Sequence, residues 1–145
     1  MSTEMESLYA ELFEAAGVGR RLGELLAADA GQTQARWQAM WTIDHEGRLT
    51  VPQVARRLGV SRQGVQRVVD DLVTEGMVRP EPNPDHRTSS LFALTDEGRA
   101  TLARINRAAD AAHRRIGRDV PPSDVEQLRR LLRALTSATR AQYDV

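Results

Sequence analysis

The fold is decided by residues 50–95, which read TVPQVARRLGVSRQGVQRVVDDLVTEGMVRPEPNPDHRTSSLFALT. Two short helical patterns meet there at a tight turn around Gly59, and a Pro-rich segment with a polar tip follows between two short apolar runs. Helix, turn, helix and then two strands is the element order of a winged helix-turn-helix. We therefore expect a mainly α fold with a small β-wing, and double-stranded DNA as the leading partner.

The first helix of the pair has clear start and stop signals. Thr50 can accept a hydrogen bond from the backbone while Gln53 returns one, and Pro52 lies where no N–H is needed. Gly59 can take the left-handed backbone that ends a helix and lets the chain turn sharply.

The second helix carries the predicted DNA-reading side chains. Ser61 is a typical N-cap residue, and the helical pattern runs to Glu75 before Gly76 stops it. A buried stripe consists of Val65, Val68, Val69 and Leu72, which leaves the outward face to Arg62, Gln63, Gln66, Arg67 and Asp70. Arg suits the two acceptors of guanine, and Gln suits the donor and acceptor of adenine. A solvated helix face would show the same pattern, so both interpretations stay open.

The wing is predicted from two apolar runs, Met77-Val78-Arg79 and Leu91-Phe92-Ala93-Leu94, connected by residues 80–90. We expect the connection to stay out of the sheet because it holds three prolines, Pro80, Pro82 and Pro84. The tip predicts DNA contacts by Asp85, Arg87 and Thr88, with Arg87 in a minor groove or on phosphates and Asp85 orienting it by an ion pair. An ordinary turn with a solvated arginine is the alternative.

Three segments together resemble the signature of the MarR (multiple antibiotic resistance regulator) family. They are residues 72–79 (LVTEGMVR), 82–87 (PNPDHR) and 94–98 (LTDEG). The resemblance implies an obligate homodimer on a pseudo-palindromic operator, usually a repressor that a small aromatic or phenolic effector releases. It places Ser61, Arg62, Gln63, Gln66 and Arg67 on the recognition helix, and Asp85 and Arg87 on the wing. Gly64 departs from the family, which often has a small hydroxyl residue there.

The resemblance also predicts two helices before this module and two after it. We expect one MarR-like domain over residues 1–145, with the winged helix-turn-helix at 48–99 and dimerisation helices at 1–31 and 119–145. Leucine stripes at both ends of the chain need a partner, which an intrachain bundle or a two-fold dimer would supply, and the resemblance favours the dimer. The last helix is predicted to begin at Ser123, with Glu126 completing a capping box. Another long helix should follow Thr95.

An effector site is predicted on the helix from Gln34 to about Glu46. Trp37 and Trp41 share one face with His45 a turn further on, and such rings suit a flat aromatic ligand. If the ligand is an acid, Arg20, Arg21 or Arg36 could pair with it. The alternative is that the tryptophans belong to the core.

Composition narrows the function classes. Residues 1–47 hold three Arg and eight acidic residues, a net charge of −5, whereas residues 48–79 hold six Arg and three acidic residues, a net charge of +3. The positive field is therefore local to the predicted DNA-facing module. The absence of Cys excludes a thiol switch. The three histidines are scattered, without a partner at the spacing of a metal site, so we expect no metal site. We also expect no cofactor.

The chain has no apolar run long enough for a membrane span and an acidic start, Met1-Ser2-Thr3-Glu4, so we expect a cytoplasmic protein. The sequence does not group a nucleophile with a base and an orienting acid, so we do not expect an enzyme. A ligand-responsive DNA-binding repressor is favoured. A winged-helix module that binds DNA or protein without an effector is the alternative.

Overall fold

A computed structural model describes residues 2–145 of the chain, so Met1, the first residue of the acidic start, lies outside the described residues. These residues form six helices and two strands: α1 (Ser2–Ala28), α2 (Gln34–Glu46), α3 (Val51–Leu58), α4 (Arg62–Thr74), β1 (Val78–Glu81), β2 (Leu91–Leu94), α5 (Asp96–Ile116) and α6 (Pro122–Gln142). The predicted fold class, mainly α with a small β-wing, is confirmed.

The described chain divides into two compact units, one ending at Ala108 and the other running from Ala109 to Val145. In the first unit, the core lies where α2, α3, α4 and the wing meet. Its largest fully buried side chains are Met40, Ile43, Val54, Val65, Val69, Leu72, Val78 and Ile105. Burying one such apolar side chain stabilises the fold by about 1.5–3 kcal/mol. In the second unit, none of the described residues of α6 is buried.

The helix-turn-helix forms by the local signals that the sequence carries. Thr50 and Gln53 make the predicted reciprocal capping box at the start of α3. Gly59 has a left-handed backbone, with φ 65° and ψ 33°, and ends α3 as predicted. The Ser61 side chain then accepts from the backbone N–H of Gly64 at 3.0 Å and caps α4.

The wing is an antiparallel pair, and here one expectation is wrong. Pro80 was expected to stay out of the sheet, but β1 includes it and places it opposite Phe92. The N–H and C=O of Phe92 are hydrogen-bonded to the backbone of Leu49, which pairs as an isolated bridge with the other side of β2. Pro80 therefore occupies a position that does not need to donate to β2, which is where a sheet tolerates proline.

Helix α5 begins against the turn that joins α4 to β1. The Thr95 hydroxyl donates to the backbone carbonyls of Gly76 and Met77, and it accepts from the N–H of Gly98 at 3.0 Å. A Cβ built on Gly98 would collide with the Met77 carbonyl. The close approach of two backbones explains why glycine stands at the end of the segment LTDEG.

The predicted start of α6 is also wrong. Its N-cap is Pro121 and its first residue is Pro122, and no side chain makes a capping bond there, so Ser123 and Glu126 form no capping box. Proline at the first helical position has a suitable φ and no N–H to satisfy, and this moves the start upstream of Ser123. Within residues 2–145, no helix has the length and apolar character needed to cross a membrane.

Candidate nucleic-acid interface and ligand cleft

Helix α4 presents the predicted polar face to solvent. Val65, Val69 and Leu72 are buried beneath it. The side chains expected to read DNA are all exposed: Ser61, Arg62, Gln63, Gln66 and Arg67. Capping by Ser61 fixes the first turn of α4, so these side chains project from a rigid element.

The exposed face of α4 is mostly unengaged. In the part of the chain that the structure describes, Arg62, Gln63 and Arg67 make no side-chain hydrogen bond or ion pair. Gln66 differs because its Nε2 donates to Oδ1 of Asp70 at 2.8 Å. Two guanidinium groups and one carboxamide are therefore free to bond an external partner.

The wing tip is ordered by Asn83 rather than by an ion pair. The Asn83 side chain accepts from the N–H of Asp85 at 3.1 Å and donates to the Ser89 carbonyl at 3.0 Å, which closes the base of the tip. Asp85, Arg87 and Thr88 are exposed as predicted. The expected ion pair between Asp85 and Arg87 is absent among the described residues. Both side chains are exposed, and an ion pair in solvent contributes too little to hold them together.

A group of polar side chains, here called the clasp, joins the start of α2 to the end of α4. Arg36 donates to Glu75 at 2.8 Å and to Asp71 at 3.0 Å, and Gln32 donates to Glu75 at 3.2 Å. Arg36 is therefore committed, although the sequence suggested it as a partner for an acidic ligand. The clasp was not predicted. The spacing of Asp71 and Glu75, four residues apart, indicates two neighbouring carboxylates that need a cation, but it does not identify Arg36 as that cation.

A cleft of about 930 Å³ opens between α1, α2 and the helix-turn-helix. Its lining includes Arg20, Trp37, Trp41, Glu46, Arg57, Gly64, Val65 and Val68. Three of the four predicted effector residues, Arg20, Trp37 and Trp41, thus face one space. His45 does not line it but stacks on Trp41, with ring centroids 4.6 Å apart and an interplanar angle of 11°.

The two tryptophans have different surroundings. The Trp37 Nε1–H donates to the Asn106 side chain at 3.0 Å, and the ring packs against the core. Trp41 is 47% exposed and presents its ring to the cleft. Trp37 is thus partly a core residue, as the alternative held, while Trp41 is available to a ligand.

The two arginines that line the cleft differ in their partners. The Arg57 Nε donates to both carboxylate oxygens of Glu46, at 2.9 and 2.6 Å. Arg20 makes no hydrogen bond or ion pair to any residue of the described chain. Arg20 is therefore the cation in this lining that is open to a carboxylate or phenolate.

Comparison with known proteins agrees with this geometry. A sequence-family model described as MarR family matches residues 30–87, from just after α1 to the wing tip. The uncharacterized protein Rv2011c of Mycobacterium tuberculosis strain H37Rv is 47% identical over 142 residues, covering 98% of this chain and 99% of that protein.

Two solved structures resemble the chain in fold. A mutant of MarR from E. coli, complexed with operator DNA, has a TM-score of 0.79 at 22% identity and covers 91% of this chain and 95% of that chain. The M. tuberculosis transcriptional regulator MOSR, in complex with DNA, has a TM-score of 0.75 at 21% identity, with coverage of 91% and 95%. At these identities the likeness concerns the fold.

Proposed function

Since the chain belongs to the MarR family of winged-helix DNA-binding transcription regulators, we propose that it is a homodimeric repressor. It binds a pseudo-palindromic operator and is released by a small aromatic or phenolic effector. The whole chain acts as one MarR-like domain in the cytoplasm, with α4 and the wing contacting DNA and the terminal helices serving dimerisation. Family and fold are those of a regulator rather than of an enzyme.

The observation that carries the proposal is the free polar face of α4. Arg62, Gln63 and Arg67 project without partners from the first two turns of a capped helix. In helix-turn-helix proteins these turns lie in the major groove, where Arg and Gln bond base edges. Ser61 lies at the helix N-terminus, where backbone N–H groups favour a phosphate. Arg87 on the wing adds an unpaired charge for the minor groove or the backbone.

Dimerisation is supported by large apolar side chains that each unit leaves exposed. On α1 they include Leu8, Phe13, Val18 and Leu25, and on α6 they include Val125, Leu128, Leu131 and Leu132. Exposed apolar faces of this extent are typical of association surfaces. One chain supplies one recognition helix, so reading both halves of a pseudo-palindrome takes two chains. The structure of the MarR mutant complexed with operator DNA supports DNA as the partner of this fold.

The effector is proposed to bind the cleft, with its ring on Trp41 and an acidic group on Arg20. The same cleft is lined by Gly64, Val65 and Val68 of α4, so a bound ligand would contact the recognition helix. A ligand shifts DNA binding only by its different affinity for the two shapes of the protein, commonly about 1–3 kcal/mol of coupling. Contact with both α2 and α4 is what makes such a difference available.

One observation favours the alternative, a winged-helix DNA-binding or protein-interaction module without an effector. The bond from Trp37 to Asn106 gives this tryptophan a structural purpose that needs no ligand. Binding of a small molecule that changes operator affinity separates the two functions.

The proposal is tested by selecting duplexes from a random library with the full chain and with Arg67→Ala. If Arg67 reads a base, the variant loses about 1–3 kcal/mol of affinity and relaxes preference at one position in each half-site. A uniform loss across sequences assigns Arg67 to a phosphate. No selected sequence for the wild type, or no change in the variant on any DNA, would contradict the proposed role of this face.

A further inference from the structure

Four side chains of α4 are candidates for reading bases. Among residues 2–145, Gln66 is the one of these four that is hydrogen-bonded to another side chain. Its Nε2 donates to Oδ1 of Asp70, one turn further along the helix, at 2.8 Å. Both residues are exposed on the face that the proposed function assigns to DNA. The bond therefore exists before any partner arrives.

This bond fixes which way the Gln66 amide points. A carboxamide has two N–H donors and one acceptor oxygen, whereas an ionised carboxylate only accepts. If the amide turned over, its Oε1 would face the carboxylate of Asp70, and two acceptors would oppose each other. Asp70 thus favours the orientation in which one N–H is taken, leaving one N–H and Oε1 for another partner.

The remaining groups match adenine and not guanine. Adenine offers a donor at N6 beside an acceptor at N7, while guanine offers two acceptors, O6 and N7. A free glutamine could turn both N–H groups toward guanine. With one N–H already given to Asp70, Gln66 can donate once, and its Oε1 would face the guanine O6.

We infer that Asp70 is a positioning residue that makes Gln66 select adenine over guanine. This inference rests on the proposed function, since it requires α4 to lie in a major groove. A Gln–Asp pair at this spacing also stabilises a helix slightly, but that effect alone predicts no change in base preference. Base preference therefore distinguishes positioning from a structural role.

The test measures equilibrium affinities of the full chain for its selected duplex and for that duplex with A replaced by G at one position. Gln66→Ala first identifies the position, as the one where the preference disappears. Asp70→Asn, which is similar in shape and can donate as well as accept, should then lower the A-to-G affinity ratio there by about fivefold or more. Asp70→Glu keeps a carboxylate and should retain part of the ratio.

Asp110→Asn is the matched control because it removes one negative charge from an exposed position on α5. It should leave the ratio unchanged. The inference is overturned if Asp70→Asn keeps the full ratio at the position that Gln66→Ala loses, or if Gln66→Ala alters no position. Failure of the wild type to select any sequence would be a different result, and it would overturn the proposed function together with this inference.

Discussion

Arg36 on α2 donates to Glu75 at the C-terminal end of α4 at 2.8 Å, and its other terminal nitrogen donates to Asp71. The next residue, Trp37, lines the cleft and bonds to Asn106 of α5. Through these two consecutive residues, α2 contacts the proposed recognition helix and α5 and also lines the cleft. The clasp is a direct polar link between α2, which lines the cleft, and α4, the proposed recognition helix.

Replacing Arg36 tests the contribution of the clasp. Arg36→Met should lower the free energy of unfolding by about 1–2 kcal/mol, because Asp71 and Glu75 are left as neighbouring like charges without a counter-ion. Operator affinity should fall as well, since the end of α4 is less firmly held. Urea unfolding and duplex binding measure the two effects.

Arg99→Met is the control for the clasp, since Arg99 pairs with a fully exposed Asp96. An exposed pair of this kind contributes little to stability. Equal losses of stability in both variants would show that the clasp is an ordinary surface pair.

The wing arginine should act through charge. Arg87→Ala should weaken selected and random duplexes alike, and if the contact is to phosphate it should flatten the slope of log affinity against log salt by about 0.9 per wing. Asp85→Ala should leave affinity unchanged or raise it slightly, because Asp85 does not hold Arg87 and carries a charge of the same sign as phosphate. Titrations at several salt concentrations measure the slopes. Identical slopes for wild type and Arg87→Ala exclude the phosphate contact.

Ligand binding in the cleft should depend on Arg20. A planar aromatic acid such as salicylate should quench the fluorescence of Trp41 and weaken operator binding. Arg20→Ala should reduce the affinity for the acid several-fold. A hydrogen bond to a charged group usually contributes about 1.5–3 kcal/mol, and solvent screening in an open cleft lowers this contribution. Arg21→Ala is the matched control, because Arg21 is the next residue on α1 and does not line the cleft.

Two results would count against this site. Equal effects of the Arg20 and Arg21 substitutions would show that the acid does not pair with Arg20. Quenching that leaves operator affinity unchanged would show a binding site without a switch.

Two glycine substitutions should differ in effect, because Gly98 lies against the backbone of Met77 whereas the Cβ position of Gly19 is open. Gly98→Ala should destabilise the protein by about 1–3 kcal/mol, because the added methyl group meets the Met77 carbonyl and forces the backbone to shift. Gly19→Ala on α1 should be neutral or stabilise by up to about 1 kcal/mol, since nothing lies within 4 Å of the new Cβ. Thermal or urea unfolding measures both, and a stable Gly98→Ala variant would contradict the close approach.

Local chemistry explains what the sequence predicted well. The capping box of Thr50 and Gln53, the left-handed Gly59 and the cap at Ser61 are short-range signals, and each holds in the structure. Where such signals compete, they mislead. Ser123 is a good N-cap residue, but the Pro121-Pro122 pair before it can start the helix earlier.

Contacts between distant residues could not be read from periodicity. The partners Arg36 and Glu75 are 39 residues apart, and Trp37 and Asn106 are 69 apart, so nothing local joins them. Pro80 could be placed in the strand only once the bridge from Leu49 showed which groups of Phe92 were already used. The cleft itself depends on how three helices pack, although Arg20, Trp37 and Trp41 were each identified beforehand.

Hydroxyl-radical footprinting of the full chain on its selected duplex tests most directly whether two copies of α4 read one operator. Two recognition helices in successive major grooves predict two protected segments, related by two-fold symmetry and about 10 bp apart on one face of the duplex. Arg67→Ala should weaken both segments equally. A single protected segment, or uniform protection along the whole duplex, would contradict binding by two recognition helices.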